Sequence, residues 1–519
     1  MNKIGFQNFR KFHNFPELEY GPITFLVGAN NSGKSTMVKA LLLIYNYLKS
    51  NNYSRFYFGS NVIQDANIFT FGRAKNKSSR EKSIIFSFSF NRYRLEIQIG
   101  GEEDMTFARV YSFKMIDDDT NITFELKPIE ETAYISRTHK ASEYINKEDN
   151  IKNDGNELES KLIIQRSELQ NQLKEGNLKK GSKQYLLYID QINKLNDKIG
   201  GLVNNYYVAT KDQMYKISYD YINSDSIKNI FSLIIAFSLH DHEVQYNLIQ
   251  KGNTASANFN NLRGIKEDEK IIESSLQNFS SIFEALKIDY IAANPAKQTT
   301  LFLVRDTYNI LAQALHEFNQ RRILKGQPAY LFIEKWMRLF GIGDSFEITM
   351  HGGEAYELNI IEGRSKIPMA DKGMGSLQIM MILFKIAVSI NNKLSNNGRH
   401  FIEIFIPEIF KTIIIEEPEL NLHPAYQSLL ADLFFEVHSE YKINFIIETH
   451  SEYLIRKTQL IVKDKELEAS SNENPFCVLY FGSDLKQWKM SYREDGKFIE
   501  EFGTGFFDET RKIVKKMME

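Results

Sequence analysis

The chain reads as an α/β protein with three parts: a P-loop core with a mixed, mainly parallel sheet; an antiparallel β subdomain; and an inserted helical region carrying a short antiparallel helical hairpin. Three observations lead there. The stretch GANNSGKS, residues 28–35, stands between an apolar run, Ile23 to Val27, and a segment with helical periodicity. Two further apolar runs, Ile413-Ile414-Ile415 and Phe445-Ile446-Ile447, are too short for helices and end abruptly in charged or polar residues, as central parallel strands do. Residues 83–98, SIIFSFSFNRYRLEIQ, alternate with period two, the mark of half-buried antiparallel strands.

At 519 residues the chain exceeds what one core usually holds, so several domains or one domain with large insertions are expected. Residues 2–27 alternate around Ile4, Phe6 and Phe9, turn at Gly21-Pro22, and feed the first buried strand. After the Gly-rich stretch, Met37, Leu41, Ile44 and Leu48 share one helical face. Alternation returns over 108–126, extending the antiparallel sheet. From about 140 the composition shifts to Lys, Glu, Asn and Gln, and two helical segments flank the turn EGNLKKGSK, residues 175–183. Leu158, Leu162, Leu169 and Leu173 mark one arm; Tyr185, Tyr188, Ile192, Leu195 and Ile199 mark the other. Each arm, of about 17 residues, would span ~25 Å. Residues 225–290 and 301–340 read as mainly helical. The expected organisation is therefore 1–135 for the first half of the core, 136–284 for the helical insertion, 285–465 for the second half, and 466–519 for a small C-terminal extension.

Bulk properties narrow the setting. Lys and Arg total 64 against 66 Asp and Glu, a formal charge of -2, so any nucleic-acid surface must be a local patch. Candidates are Lys179, Lys180, Lys183, Arg321, Arg322, Lys515 and Lys516. One cysteine, Cys477, rules out an internal disulfide and fits a reducing compartment. The start, MNKIGFQNFRKF, lacks the apolar centre of a signal peptide, and no uninterrupted apolar run approaches the ~20 residues of a membrane span. A cytoplasmic protein without membrane attachment is expected.

In a parallel sheet, ligands gather beyond the carboxyl ends of the strands, so three segments should meet: GANNSGKS, EEPELNLHP and ETHSEY. The first matches GxxxxGK[ST]. Its small residues let backbone N–H groups curl around phosphates at a helix start, with Lys34 on the β and γ phosphates and Ser35 on Mg²⁺. Gly28, Asn30, Asn31, Ser32, Gly33, Lys34, Ser35 and Thr36 are the expected nucleotide contacts. Glu416 and Glu417 form a carboxylate pair at a buried strand end, costly without a compensating cation. We assign Glu416 to the metal, through water, and Glu417 to orienting and deprotonating the attacking water. His450 would stand beside the γ-phosphate as a polar sensor. A second Gly-rich turn, ADKGMGSLQ over 370–378, opens another helix and offers Gly373, Gly375 and Ser376 as an additional anion-binding end.

These motifs in this order (NFRKF before the P-loop, DKGMGSLQ, IIIEEPELNLHP and ETHS) resemble the ABC-type ATPases of the SMC and RecF kind, and within them the head of the Overcoming Lysogenization Defect family. The resemblance covers roughly 1–100 and 285–465. It implies an ABC-type P-loop ATPase head that binds ATP and Mg²⁺ and hydrolyses ATP slowly. It also implies a homodimer, or a higher oligomer, in which Gly375 and Ser376 of one copy contact the nucleotide held by the other. Glu416 stands where the usual residue is Asp, which leaves its division of roles with Glu417 open. The metal-contacting Gln of the family corresponds to Gln64. The stretch after His450 is short for a Toprim nuclease domain and lacks its spaced acidic cluster, so no intrinsic nuclease is expected; residues 495–509, DGKFIEEFGTGFFDE, resemble a segment attached to stand-alone members. Such members resemble the ATPases of bacterial antiphage systems such as Septu, PARIS and certain retrons. A separate effector, nuclease or toxin, is the partner this implies, with a RecF-like DNA-binding role in repair as the alternative.

Overall fold

The structure, a computed structural model, describes residues 2–50, 52–59, 68–90, 92–130, 132–137, 164–169, 189–194, 213–216, 274–279, 286–293, 299–397, 411–467, 474–503 and 507–518. Its first strands are β1 (Asn2–Phe9), β2 (Phe12–Tyr20) and β3 (Ile23–Gly28), followed by helix α1 (Lys34–Lys49). Next come β4 (Arg55–Tyr57), the one-turn helix α2 (Phe71–Ala74), β5 (Ser83–Phe90), β6 (Tyr93–Gly100), β7 (Phe107–Asp117), β8 (Ile122–Lys127), β9 (Thr132–Arg137) and β10 (Gln213–Lys216). All but β3 of these strands build one antiparallel sheet in the order β10-β9-β8-β7-β6-β5-β1-β2, with β4 on β7. The alternation expected over 83–98 and 108–126 is its middle, with Phe86, Phe88, Leu95, Ile97 and Phe113 turned inward.

The second sheet is the core. It uses β3 with β11 (Lys287–Ile291), β16 (Lys411–Glu416), β17 (Asn444–Glu448), β18 (Phe476–Phe481) and β19 (Gln487–Met490), ordered β11-β16-β17-β3-β18-β19. All neighbours are parallel except the edge pair β18 and β19. Period two splits its side chains. Leu26, Ile414, Ile446 and Leu479 face α1 and the antiparallel sheet; Phe25, Ile413, Ile415, Phe445, Ile447 and Val478 face the helices on the other side. Those helices are α3 (Ile310–Gln320), α4 (Pro328–Leu339), α5 (Met374–Asn397), α6 (Pro424–Tyr441) and α7 (Glu452–Asp464), with α8 (Glu509–Met518) near the end of the chain. Beside them lies a small antiparallel sheet of β12 (Phe302–Leu303), β13 (Ser345–His351), β14 (Ala355–Glu362) and β15 (Ser365–Pro368). This is a mixed α/β fold, with a mainly parallel core sheet built around the β3–α1 unit and an antiparallel β subdomain.

Several expectations change. Lys287–Ile291, read within a mainly helical stretch, is a strand because it pairs in register with Lys411–Ile415. The segment set apart as an extension from 466 supplies β18, which pairs along the whole of β3, so it belongs to the core sheet. The hairpin β13–β14 and strand β15 were not anticipated, although Tyr356, Leu358 and Ile360 alternate inward around a Gly352-Gly353 turn. Within α5, residues Met374–Leu394 do reach the length and apolarity of a membrane span despite the polar interruptions. That window is 72% buried inside the chain, as a central core helix requires. The helical hairpin lies mostly outside the described residues; within it 164–169 and 189–194 are helical. Lys179, Lys180 and Lys183 also lie outside them.

Candidate nucleotide-binding site

The turn between β3 and α1 is shaped by close approach. A Cβ on Gly28, at φ +135°, would come within 2.1 Å of the Phe481 carbonyl on β18, and one on Gly33, at φ +107°, within 2.4 Å of the Phe12 ring. Only glycine fits either position. The loop is thus clamped by both sheets. Gly33 is the N-cap of α1 and supplies no capping side chain, and the first turn holds no acidic residue. By contrast α3 and α7 are capped by Asn309 and Ser451. A buried helix start left in this state presents N–H donors and a positive dipole end to an anion.

Lys34 lies almost wholly buried and curls over this loop. Its Nζ donates to the carbonyls of Gly28 at 3.1 Å and Ala29 at 3.0 Å and stands 3.9 Å from Glu448 Oε1. Burial lowers its pKa, against the pull of Glu448, Glu417 and Glu419. Ser35 Oγ donates to Glu448 Oε1 at 3.1 Å. The Ser32 hydroxyl, 1% exposed, finds no hydrogen-bond partner among the described residues. Lys11, after β1, donates from Nζ to the Asn31 carbonyl.

The carboxylates arrive from the next two strands. Glu416 and Glu448 are register partners at the ends of β16 and β17, on the sheet face that carries α1. Burial raises the pKa of both, with Glu416 the second cause for Glu448, which is pushed up to about 7. On the β11 side the Tyr290 hydroxyl, Lys39 and the Ala293 N–H favour the charged form of Glu416, without outweighing burial. Glu417 has φ +47°, a left-handed conformation that is strained for a residue with a side chain, and its N–H donates to the Glu448 carbonyl at 2.7 Å. Glu419 accepts the His450 N–H at 2.7 Å, and burial raises its pKa. His450 is exposed at the rim, its pKa lowered by partial desolvation and then by Lys34.

The fold therefore brings together the P-loop residues, Glu416, Glu417 and His450 picked out from sequence. The turn with Gly373, Gly375 and Ser376 packs against the loop after β16 instead: a Cβ on Gly375 would meet the Asn421 carbonyl at 2.5 Å. Gln64 lies outside the described residues. Sequence reading gave no role to Glu448, Glu419 or Lys11. For Glu448 a signal existed, since it closes an apolar strand in the same manner as Glu416. Among the described residues no three His, Cys, Asp or Glu side chains converge closely enough to hold a metal ion by themselves. The Ser35 hydroxyl, Glu448 and Glu416 are donors of the kind Mg²⁺ takes, one or two carboxylates with other positions left to phosphates and water.

Residues 1–455 match the protein family described as "AAA ATPase domain". No curated protein matches the chain. Among solved structures, the Smc head domain with an extended coiled coil bound to the C-terminal domain of ScpA, from Pyrococcus furiosus, is 11% identical over 100% of both chains, with TM-score 0.35. The SmcHead bound to the C-winged helix domain of ScpA is 10% identical over 94% of this chain and 96% of that one, TM-score 0.33. The SMC head domain from Thermotoga maritima is 10% identical over 95% and 98%, TM-score 0.31.

Proposed function

The chain belongs to the AAA ATPase domain family, and from that premise we propose that it binds Mg²⁺ and ATP in the P-loop and hydrolyses the nucleotide to control a separate effector. The observation that carries the reading is the uncapped start of α1 beneath a buried Lys34, faced by carboxylates on adjacent strands. Gly28 to Thr36 would hold the phosphates through backbone N–H groups, with Lys34 Nζ as their counter-charge. Ser35 and Glu416 would hold the cation, which when bound neutralises charge on the phosphate oxygens. Glu417 orients the attacking water and takes its proton on the carboxylate. His450, its backbone fixed by Glu419, senses the terminal phosphate.

The turn at Gly373, Gly375 and Ser376 is left by this scheme for a second copy's nucleotide, hence the homodimer. Its packing on the loop that follows Glu417 would link closure across the dimer to the hydrolytic residues of its own copy. The motif likeness to stand-alone antiphage ATPases supports a sensor or regulator in the cytoplasm whose effector is a nuclease or toxin. The short helical hairpin around residues 175–183 would be its docking surface.

Titration with ATP in Mg²⁺, phosphate-release assays and mass measurement test this. Lys34→Ala should weaken ATP binding by roughly 100-fold or more, the scale of a lost buried charge–phosphate contact. Glu417→Gln should keep binding, stop turnover and accumulate an ATP-dependent dimer. ATP-dependent affinity for DNA that falls steeply with salt, with no co-purifying effector, would favour the RecF-like alternative.

A further inference from the structure

The motif-based reading gives the cation's acidic contact to Glu416, yet the carboxylate that faces the P-loop hydroxyl is Glu448. In the sheet order β16-β17-β3, Glu448 stands one strand from the P-loop strand and Glu416 two. With strands ~4.8 Å apart, Glu416 starts about 10 Å from β3 and Glu448 half of that. Ser35 Oγ donates to Glu448 Oε1 at 3.1 Å. The other oxygen, Oε2, is buried without a hydrogen-bond partner among the described residues, in a side chain only 9% exposed. Lys34 Nζ reaches only Oε1, at 3.9 Å, while giving its hydrogen bonds to two carbonyls. A buried carboxylate with a free oxygen is costly unless a cation completes it. Neither oxygen of Glu416, by contrast, is among the buried atoms left unpaired in the described residues.

We propose that Glu448 is the principal acidic group for the divalent cation that enters with the nucleotide, acting beside Ser35, while Glu416 is the more distant supporting carboxylate. The inference rests on the ATP reading above and adds a residue to it. Two carboxylates plus a hydroxyl leave the remaining positions to phosphate oxygens and water, as Mg²⁺ prefers.

The test separates cation binding from turnover. Fluorescence titration with the N-methylanthraniloyl derivative of ATPγS, in Mg²⁺ and in EDTA, gives the gain in affinity due to the cation. Glu448→Gln keeps an acceptor for the Ser35 hydroxyl and removes the charge. It should cut that gain by roughly tenfold or more, the usual scale for lost metal-site groups, with affinity in EDTA unchanged or tighter. Glu416→Gln should cut it less. Mn²⁺ electron paramagnetic resonance on wild type and on Glu448→Asp, a variant that keeps the charge, gives a second readout if the Gln variant misfolds: the Asp variant should retain bound Mn²⁺ with altered affinity. An unchanged cation gain in Glu448→Gln, or an Mn²⁺ affinity unaltered in Glu448→Asp, overturns the proposal. Failure of wild type to bind the analogue in either buffer overturns the ATP reading instead.

Discussion

The antiparallel sheet and the carboxyl end of the parallel sheet meet where Phe15 stacks on Phe481 at 6.2 Å, yet they bury different groups: rings in the first, carboxylates in the second. In the first, Phe6 stacks on Phe15 at 4.3 Å and sits edge-on to Phe9 at 5.4 Å and Phe12 at 5.8 Å, all fully or almost fully buried. Apolar side chains fill most of that interior, strand pairing runs from β5 through β9, and the buried polar atoms left unpaired there, Asn121 Nδ2 and Thr132 Oγ1, belong to neutral side chains at a turn and a strand start. At the second, buried Ser32, Glu419 and Glu448 each keep an oxygen without a partner among the described residues, and Glu417 is held at positive φ. The difference teaches where stability is built and where it is given up. Packed aromatics supply it; the nucleotide end spends it on unpaired polar groups that a ligand can satisfy.

Removing a ring from the aromatic cluster should produce the largest change. Phe6→Ala deletes a side chain that is 1% exposed and touches three other rings. A loss of about 3–5 kcal/mol in unfolding free energy is expected from transfer and cavity costs. Urea denaturation of the ligand-free protein measures it. A loss below about 1 kcal/mol would show that this cluster is not where the stability lies.

The second change should be smaller and of opposite sign. Burial and Glu416 raise the folded pKa of Glu448 to about 7, above its ordinary 4.5. The folded state therefore binds its proton more tightly than the unfolded chain. This stabilising contribution is complete below pH 4.5 and is lost as pH rises through 7. In EDTA, the ligand-free protein should unfold with less denaturant at pH 8 than at pH 5. Glu416 and Glu419 are shifted in the same direction and add to the slope. Glu448→Gln isolates one part of it: the variant should gain about 2–3 kcal/mol over wild type at pH 8, with little gain near pH 4.5. Equal pH slopes in the two proteins would remove Glu448 from the strained set.

How much of this contrast was legible follows from the range of each signal. The strand, Gly-rich loop and helix from Ile23 to Lys49 lie contiguously in the chain, so pattern alone located the P-loop. The alternation of 83–98 likewise revealed two strands because each residue's face depends only on its neighbours. Glu448 escaped notice for the opposite reason. The apolar run before it marks a strand-end carboxylate, as for Glu416, but which of the two stands beside the P-loop strand depends on β17 lying between β16 and β3, an adjacency between segments more than 400 residues apart that no local pattern encodes. Phe476–Phe481 is as apolar as the P-loop strand, but its partner lies at the other end of the chain. The placement of Gly375 against Asn421 is of the same kind.

The smallest expected effect tests whether strain at the hydrolytic residue is real. A left-handed conformation costs a side-chain-bearing residue roughly 1 kcal/mol relative to glycine, and Glu417 at φ +47° is held there by its N–H bond to the Glu448 carbonyl. Glu417→Gly keeps that backbone bond and relieves the strain. It should raise the unfolding free energy by about 0.5–1 kcal/mol, net of the extra freedom glycine has when unfolded, while abolishing turnover. Glu417→Ala separates the causes, because it removes the carboxylate but keeps the Cβ. If Ala and Gly are equally stable, the left-handed geometry costs nothing at this position, and the spending of stability at the nucleotide end reduces to the unpaired oxygens of Ser32, Glu419 and Glu448.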